Sequence, residues 1–297
     1  MKILSFGSLN IDHTYQLEHF VQKGETISAH QLQNFSGGKG LNQSIALARA
    51  GASVVHAGAI GEDGKFLLKE MENSGVDISK VQILKDIPTG HAIIQIDSSG
   101  DNCILLYGGA NRQITTSYVD EVLMQVAEGD VLVLQNEINH LPYIVQEAKK
   151  KGMKIVLNPS PMDEKIFEIS LENVDVFILN EVEASQLVGE NNLSGEILIK
   201  ALQEKYQDAE VVLTLGDKGA MYSGKGMTCK QEAMKVKAVD TTAAGDTFTG
   251  YYLAGIVEGL TVQEAMKQAS IAAAIAVGRK GASPSIPYKE EVSEFKM

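Results

Sequence analysis

From about residue 120 onward, short apolar runs alternate with amphipathic stretches, a rhythm that few architectures accept. Val131 to Leu134 reads as a buried strand, and Ile144, Val145 and Ala148 then follow at helical spacing before Gly152 stops the helix. Ile155 to Leu157, Val176 to Leu179 and Val211 to Leu215 read as further strands, the last preceded by a helix carrying Ile197, Leu198, Ala201 and Leu202 on one face. Strand and helix in regular alternation predict an α/β fold, a parallel sheet covered by helices.

The N-terminal part departs from that rhythm. Ile3 to Phe6 suits the first central strand, but residues 12–35 mix polar and apolar positions without a helical period, and residues 90–107 read as a β-hairpin around Ser98 to Asp101. Two β segments set into an α/β frame predict a small sheet over one edge of the main body. Between them a helix begins near Gly38 to Gly40, with Leu41, Ile45 and Ala48 facing inward and Gly51 past its end. With no internal repeat and no Pro-rich or low-complexity linker, residues 1–297 are expected to form one domain with a lid built from about 12–35 and 90–107.

Composition narrows the partners. Of 297 residues, 44% are hydrophobic and 22% charged, enough apolar material for a substantial core. Basic residues number 26 and acidic residues 38, a net −12, with no Lys/Arg run to follow a phosphate backbone, so no nucleic-acid partner is expected. A small anion remains possible, because backbone N–H groups and one or two lysines can overrule a negative global field. Cys103 and Cys229 lie far apart, which excludes a disulfide framework and a Cys-x-x-Cys metal site and suits a reducing compartment. The N-terminus lacks an apolar run of signal-peptide length, and Ile271 to Val277, the longest small-apolar stretch, is too short to span a bilayer. The expectation is a cytoplasmic protein with no membrane partner. None of the six histidines shows H-x-x-x-H or H-E-x-x-H spacing.

In a parallel α/β sheet the ligand lies outside the carboxyl ends of the strands. Those ends carry Asn10 and Asp12, then Gln135, Asn136 and Glu137, then Asn158, then Asn180 and Glu181, and finally Thr214 and Gly216. Any one of these could simply cap a helix or start a turn. As a set they exceed turn chemistry, Asp12 and Glu137 above all.

Two glycine-rich segments stand out. SGGKGLNQS, from Ser36, sets three glycines and Lys39 at a helix start, where N–H groups and the ammonium could hold an anion or hydroxyls. It satisfies neither the Walker A pattern nor G-x-G-x-x-G, since Gln43 stands at the third glycine position. VDTTAAGDTFTGYYLAGI, from Val239, is more informative. Ala243, Ala244 and Gly245 leave room for a ligand against the backbone, and the helix that follows offers its first N–H groups and roughly half a positive charge to a phosphate. Asp246 lies in that first turn; favouring the helix dipole and acting as general base are both open to it on these grounds.

These segments, in order and spacing along essentially the whole chain, resemble the ribokinase family of PfkB-type sugar kinases. The likeness covers GSLNID (7–12), GGKGLNQ (37–43), NEVE (180–183), TLGDKG (214–219), DTTAAGDTF (240–248) and AAAIAVGRKGASPSIP (272–287). Its specific motifs are the N-terminal Gly-Gly-Lys-Gly-x-Asn and the C-terminal D-T-x-A-A-G-D.

The resemblance implies a three-layer α/β/α fold with a mostly parallel central sheet and a small β-sheet lid. It implies ATP-dependent phosphorylation of D-ribose at its primary hydroxyl to D-ribose 5-phosphate. Asn10, Asp12, Gly38, Lys39, Asn42 and Glu137 are implied to bind sugar hydroxyls, with Asp246 as base and the amides of Ala243, Ala244 and Gly245 as anion hole. Asn180 and Glu183 match N-x-x-E, where the glutamate orients water on Mg2+. The nucleotide is implied to lie along Thr214, Leu215, Gly216, Asp217, Lys218, Gly219, Gly245 and Ser270. Oxygens of Asp240, Thr242, Ala276, Arg279, Gly281 and Ser285 match a K+ site, several through backbone carbonyls. The family's lid also forms a dimer contact, so a homodimer is expected.

Two positions depart from the family pattern: Asn136 replaces an apolar residue beside Glu137, and Ser270 stands where a larger side chain often packs on adenine. They bear on sugar preference and nucleotide affinity rather than on the chemistry. The competing expectations are a kinase for deoxyribose, a ketohexose or a nucleoside, and a sugar or nucleotide sensor without turnover, against which intact Asp246, Gly245 and Glu183 speak.

Overall fold

The computed structural model describes residues 1–190 and 193–295. Along the chain, β1 (Ile3–Phe6) leads into β2 (Asn10–Gln16) and β3 (Gln31–Gly37), and α1 (Lys39–Arg49) returns to β4 (Val54–Gly61), α2 (Lys65–Asn73) and β5 (Asp77–Leu84). A hairpin of β6 (Gly90–Ile96) and β7 (Asn102–Tyr107) is followed by α3 (Thr116–Leu123), β8 (Val131–Gln135), α4 (Leu141–Lys150), β9 (Lys154–Asn158) and β10 (Val176–Asn180). Then come α5 (Glu181–Val188), α6 (Gly195–Lys205), β11 (Glu210–Thr214), β12 (Ala220–Gly224), β13 (Met227–Gln231), α7 (Ala244–Glu258), α8 (Val262–Val277) and α9 (Lys289–Ser293).

The large sheet runs β13-β12-β11-β10-β9-β8-β1-β4-β5, parallel from β11 to β5, with β12 and β13 added antiparallel at one edge. Its central strands are apolar on both faces, and the strand period of two divides them between two cores. Val131 and Val133 pack with α1, α7 and α8, while Leu132 and Leu134 pack with α3, α4 and α5. Three layers result. The chain progresses from β1 through β4 to β5 on one side and from β8 to β11 on the other, so the strand order reverses at β1. The crevice at such a reversal is where an α/β sheet receives its ligand.

The second sheet, β3-β2-β6-β7, is built from the two N-terminal β segments. Its strands occupy 10–16, 31–37, 90–96 and 102–107, so residues 17–30 join strands without forming one. The turn between β6 and β7 closes with Gly100 N–H donating to the Asp97 carbonyl (3.0 Å).

Three packing expectations change. Ile197 on α6 is exposed, and Ile199 joins Leu198 and Leu202 in the core, because the buried stripe is rotated by one position from the expected one. Ala48 on α1 is only half-buried, and Leu47 takes the interior place. β11 ends at Thr214, which leaves Leu215 just past the strand.

Candidate active site

The crevice is shaped first by close backbone approach. A methyl on Gly40, at the start of α1, would lie 2.4 Å from Ser8 N and 2.6 Å from the Gly7 carbonyl carbon. Glycine at 40 therefore lets α1 touch the end of β1. Gly38 holds φ +94°, a conformation other residues rarely adopt, and turns the chain from β3 into the helix.

The amides of the first turn of α1 are engaged within the protein. Lys39 N–H donates to Glu137 Oε2 at 2.9 Å, Gly40 N–H to Ser8 Oγ at 3.3 Å and Leu41 N–H to the Ser8 carbonyl at 2.9 Å. Ser8 Oγ in turn donates to Glu137 Oε2. A buried carboxylate thus occupies the helix N-terminus, as the dipole favours. The Lys39 ammonium loses from burial, yet the charges of Asp246, Glu137 and Glu183 more than compensate and raise its pKa above the usual lysine value.

Asn10 and Asp12 lie on β2. Asn10 Oδ1 accepts from Asn111 Nδ2 at 2.7 Å, and Asn111 also binds both backbone groups of Leu9. Asp12 lies directly over Gly37, where a methyl would come within 2.4 Å of all three carboxyl atoms. Burial first, and the Glu137 charge second, raise the Asp12 carboxyl to about 7.

Opposite them stands α7. Ala243, at its N-cap, has no side chain able to cap the first turn. The Ala244 amide donates to the Thr241 carbonyl at 3.2 Å, so an incoming anion must compete with that turn bond. Asp246 is 6% exposed; its Oδ2 accepts from Asn42 Nδ2 (3.0 Å) and its Oδ1 from Gln43 Nε2 (2.9 Å). Asn42 Oδ1 is buried and unpartnered.

Two cavities meet here. One, about 190 Å³, is lined by Lys39, Asn180, Glu183, Thr242, Asp246 and Thr249 among others. The larger, about 560 Å³ and mostly apolar, is lined by Gly216, Asp217, Gly219, Met234, Val236, Ala244, Phe248, Ser270, Ala273 and Val277 among others. Thr214 and Gly245 belong to both walls, so a group passing between the cavities passes Gly245. Asn180 and Glu183 form a capping box on α5: Glu183 N–H donates to Asn180 Oδ1 (2.9 Å) and Asn180 N–H to Glu183 Oε2 (3.0 Å).

Several expected site residues sit elsewhere or act differently. Leu215 turns its side chain into the core against Gly195, and Lys218 is exposed and absent from the cavity wall. Asn136 points away from the crevice, donating to the Pro161 carbonyl (2.7 Å) and Asp163 Oδ1 (2.9 Å). The Arg279 guanidinium pairs with Glu291 (2.5 Å), so only its carbonyl could face a cation. Asp240 accepts from the Thr242 amide (3.0 Å) and the Gly281 amide (3.0 Å), which draws Thr242 and Gly281 together. Burial pushes the Asp240 pKa up, but these bonds and the Thr242 hydroxyl outweigh it and hold the carboxyl below its ordinary value. The Ala276 carbonyl accepts from the Arg279 amide (3.0 Å) and Ser285 Oγ donates to the Ala282 carbonyl (2.7 Å), placing both near the same loop. Among the described residues, no cluster of three or more His, Cys, Asp or Glu side chains could hold a metal, and no helix is long and apolar enough to cross a membrane.

Sequence reasoning missed Gln43, Asn111 and the 233–238 segment that walls the larger cavity. Apolar Met234, Val236 and Ala238 at alternate positions were a usable signal for the last, and these residues line the larger cavity together with Ala233 and Lys235.

A crevice at the sheet's reversal point, with one carboxylate at a bare helix start between two cavities, describes a group-transfer site for a polar acceptor. The chain belongs to the pfkB family of carbohydrate kinases, which it matches over residues 1–289. It is 37% identical to ribokinase of Haemophilus influenzae over 295 residues, covering 97% of this chain and 96% of that one. Among solved structures it is similar to Arabidopsis thaliana ribokinase complexed with ribose and ATP (TM-score 0.89, 31% identity, 99% of each chain). It is also similar to Cryptococcus neoformans ribokinase in complex with ADP (TM-score 0.88, 34% identity, 99% of each chain).

Proposed function

We propose that this carbohydrate kinase transfers the γ-phosphoryl group of ATP to the primary hydroxyl of D-ribose, giving D-ribose 5-phosphate. One observation carries the reading: Asp246 lies at the uncapped start of α7, on the wall of the small cavity, with Gly245 shared between that cavity and the larger one. ATP occupies the larger cavity, its base against Ala273, Val277 and Ser270, where the small serine leaves room. Ribose lies under β2, its hydroxyls shared among Asn10, Asp12, Gly38, Lys39, Asn42 and Glu137. Asn42 Nδ2 is committed to Asp246, so its unpartnered Oδ1 accepts from a sugar hydroxyl.

Asp246 withdraws the hydroxyl proton as the oxygen attacks, while the first amides of α7, Gly245 foremost, take up charge on the transferring group. Lys39, held cationic by three carboxylates, adds a positive charge on the sugar side. The lid sheet excludes water, so that the sugar rather than water accepts the phosphoryl group.

Glu183 suits Mg2+ held mainly by phosphates and water, since that ion needs only one or two carboxylates and no protein cage. When bound, Mg2+ neutralises phosphate charge. The oxygen-only set of Asp240, Thr242, Ala276, Arg279, Gly281 and Ser285 suits K+ beside the anion hole. A single domain with a lid, a homodimer through that lid and a cytoplasmic setting complete the proposal. Ile104, Leu105 and Tyr107, each more than half exposed on β7, support the dimer, and the two free cysteines support the compartment.

The test is a coupled phosphorylation assay over ribose, deoxyribose, ketohexoses and nucleosides, with ribose giving the highest kcat/KM. A value well above ribose for any other acceptor overturns the sugar assignment. Asp246→Asn is expected to keep ribose and ATP binding by calorimetry while kcat falls at least about 10²-fold. Near-normal turnover of that variant refutes the base.

A further inference from the structure

Behind Asp246 runs an unbroken chain of buried amides. Gln43 Nε2 donates to Asp246 Oδ1 (2.9 Å) and to Asn158 Oδ1 (3.3 Å), and Gln43 Oε1 accepts from Gln135 Nε2 (2.7 Å). Asn158 Nδ2 donates to the Ile178 carbonyl (2.8 Å). Gln43 and Gln135 are wholly buried, Gln135 Oε1 has no partner, and Asn158 lies on the wall of the small cavity.

The direction of this chain is forced. A main-chain carbonyl can only accept, so Asn158 must turn its NH2 toward Ile178 and its oxygen toward Gln43. Gln43 then has to present its NH2, and a single nitrogen serves Asn158 and Asp246 together. Reversing the Gln43 amide would set its oxygen against two acceptor oxygens and its NH2 against that of Gln135. Asn42 and Gln43, consecutive on α1, splay apart and hold the two oxygens of the Asp246 carboxylate separately.

We infer that Gln43, oriented by Asn158 and Gln135, is a positioning residue for Asp246, fixing the plane of the carboxylate so that its remaining lone pairs face the cavity. The inference rests on Asp246 being the base. Its energetic effect lies in alignment of the proton acceptor, where displacements of an ångström are costly.

Gln43→Met, of similar length without the amide, is expected to lower kcat roughly 10- to 10²-fold while KM for ribose and ATP changes less than about 3-fold. The decisive measurement is a double-mutant cycle by single-turnover phosphorylation. In an Asp246→Asn background, Gln43→Met should cost nothing further, because there is no base left to align. An equal loss in both backgrounds assigns Gln43 to general packing and overturns the inference. Gln135→Met leaves the Gln43 donor in place but frees its oxygen; it should give a smaller loss that likewise vanishes without Asp246, and it carries the cycle should Gln43→Met fail to fold. A wild-type protein that transfers no phosphoryl group sinks the kinase reading and this inference together. Active wild type matched by Gln43→Met sinks the positioning role alone.

Discussion

Gly245→Ala should separate stability from turnover. Gly245 is the second residue of α7, and a methyl built there meets no atom within 4 Å, so nothing has to move. Replacing glycine by alanine in a helix is worth about 0.5–1 kcal/mol, and in a first turn the lower end applies. For a chain of this length that raises Tm by about 1–2 °C. The empty space around that methyl is, however, the passage between the two cavities. Shifting the transferring group by about 1 Å costs roughly 10²-fold in rate, or about 2.7 kcal/mol of barrier. The variant is thus expected to be slightly more stable and about two orders of magnitude slower, as read by thermal denaturation and a coupled assay on the same preparation. A fall in Tm would show that the site is tighter than the geometry says. Turnover within a few-fold of wild type would refute the route past Gly245.

Gly40→Ala should behave in the opposite sense despite the same first-turn propensity gain of about 0.5 kcal/mol. Its methyl would sit 2.4 Å from Ser8 N, backbone that cannot yield, so a net loss of about 1–3 kcal/mol is expected from urea unfolding; an unchanged midpoint contradicts the close approach. Asp12 gives a pH test: its carboxyl is raised from 3.8 to about 7, so its contribution to stability is full below pH 3.8 and lost as the pH climbs to about 7. Asp12→Asn should therefore gain on the wild type across that interval and hold its gain above it. A constant offset between the two from pH 4 to 8 would mean that Asp12 is not buried beside Glu137.

The layers of the fold were legible because the runs Val131–Leu134, Ile155–Leu157, Val176–Leu179 and Val211–Leu213 are continuously apolar while the helices between them show one-sided spacing, and an enclosed parallel sheet accepts both patterns. The shift from Ile197 to Ile199 in the α6 stripe escaped because a row of consecutive aliphatic residues fits more than one rotation. At the site, residue types at strand ends were readable, but hydrogen-bond direction was not. Asn180 carries its capping role in the N-x-x-E spacing itself, whereas Asn136 gave no hint that it would bind the loop at Pro161. Gln43 looked like a missing third glycine, and its contact with Asp246 joins residues 203 positions apart in the chain.

Glu137 serves two masters. One of its oxygens secures the beginning of α1 through Lys39 and Ser8, which leaves the other for whatever molecule enters the crevice. A lineage that alters this glutamate to welcome a different acceptor also loosens the framework beneath it. Drift in sugar preference should then collect at positions whose change does not weaken the fold, such as Asp12 on β2.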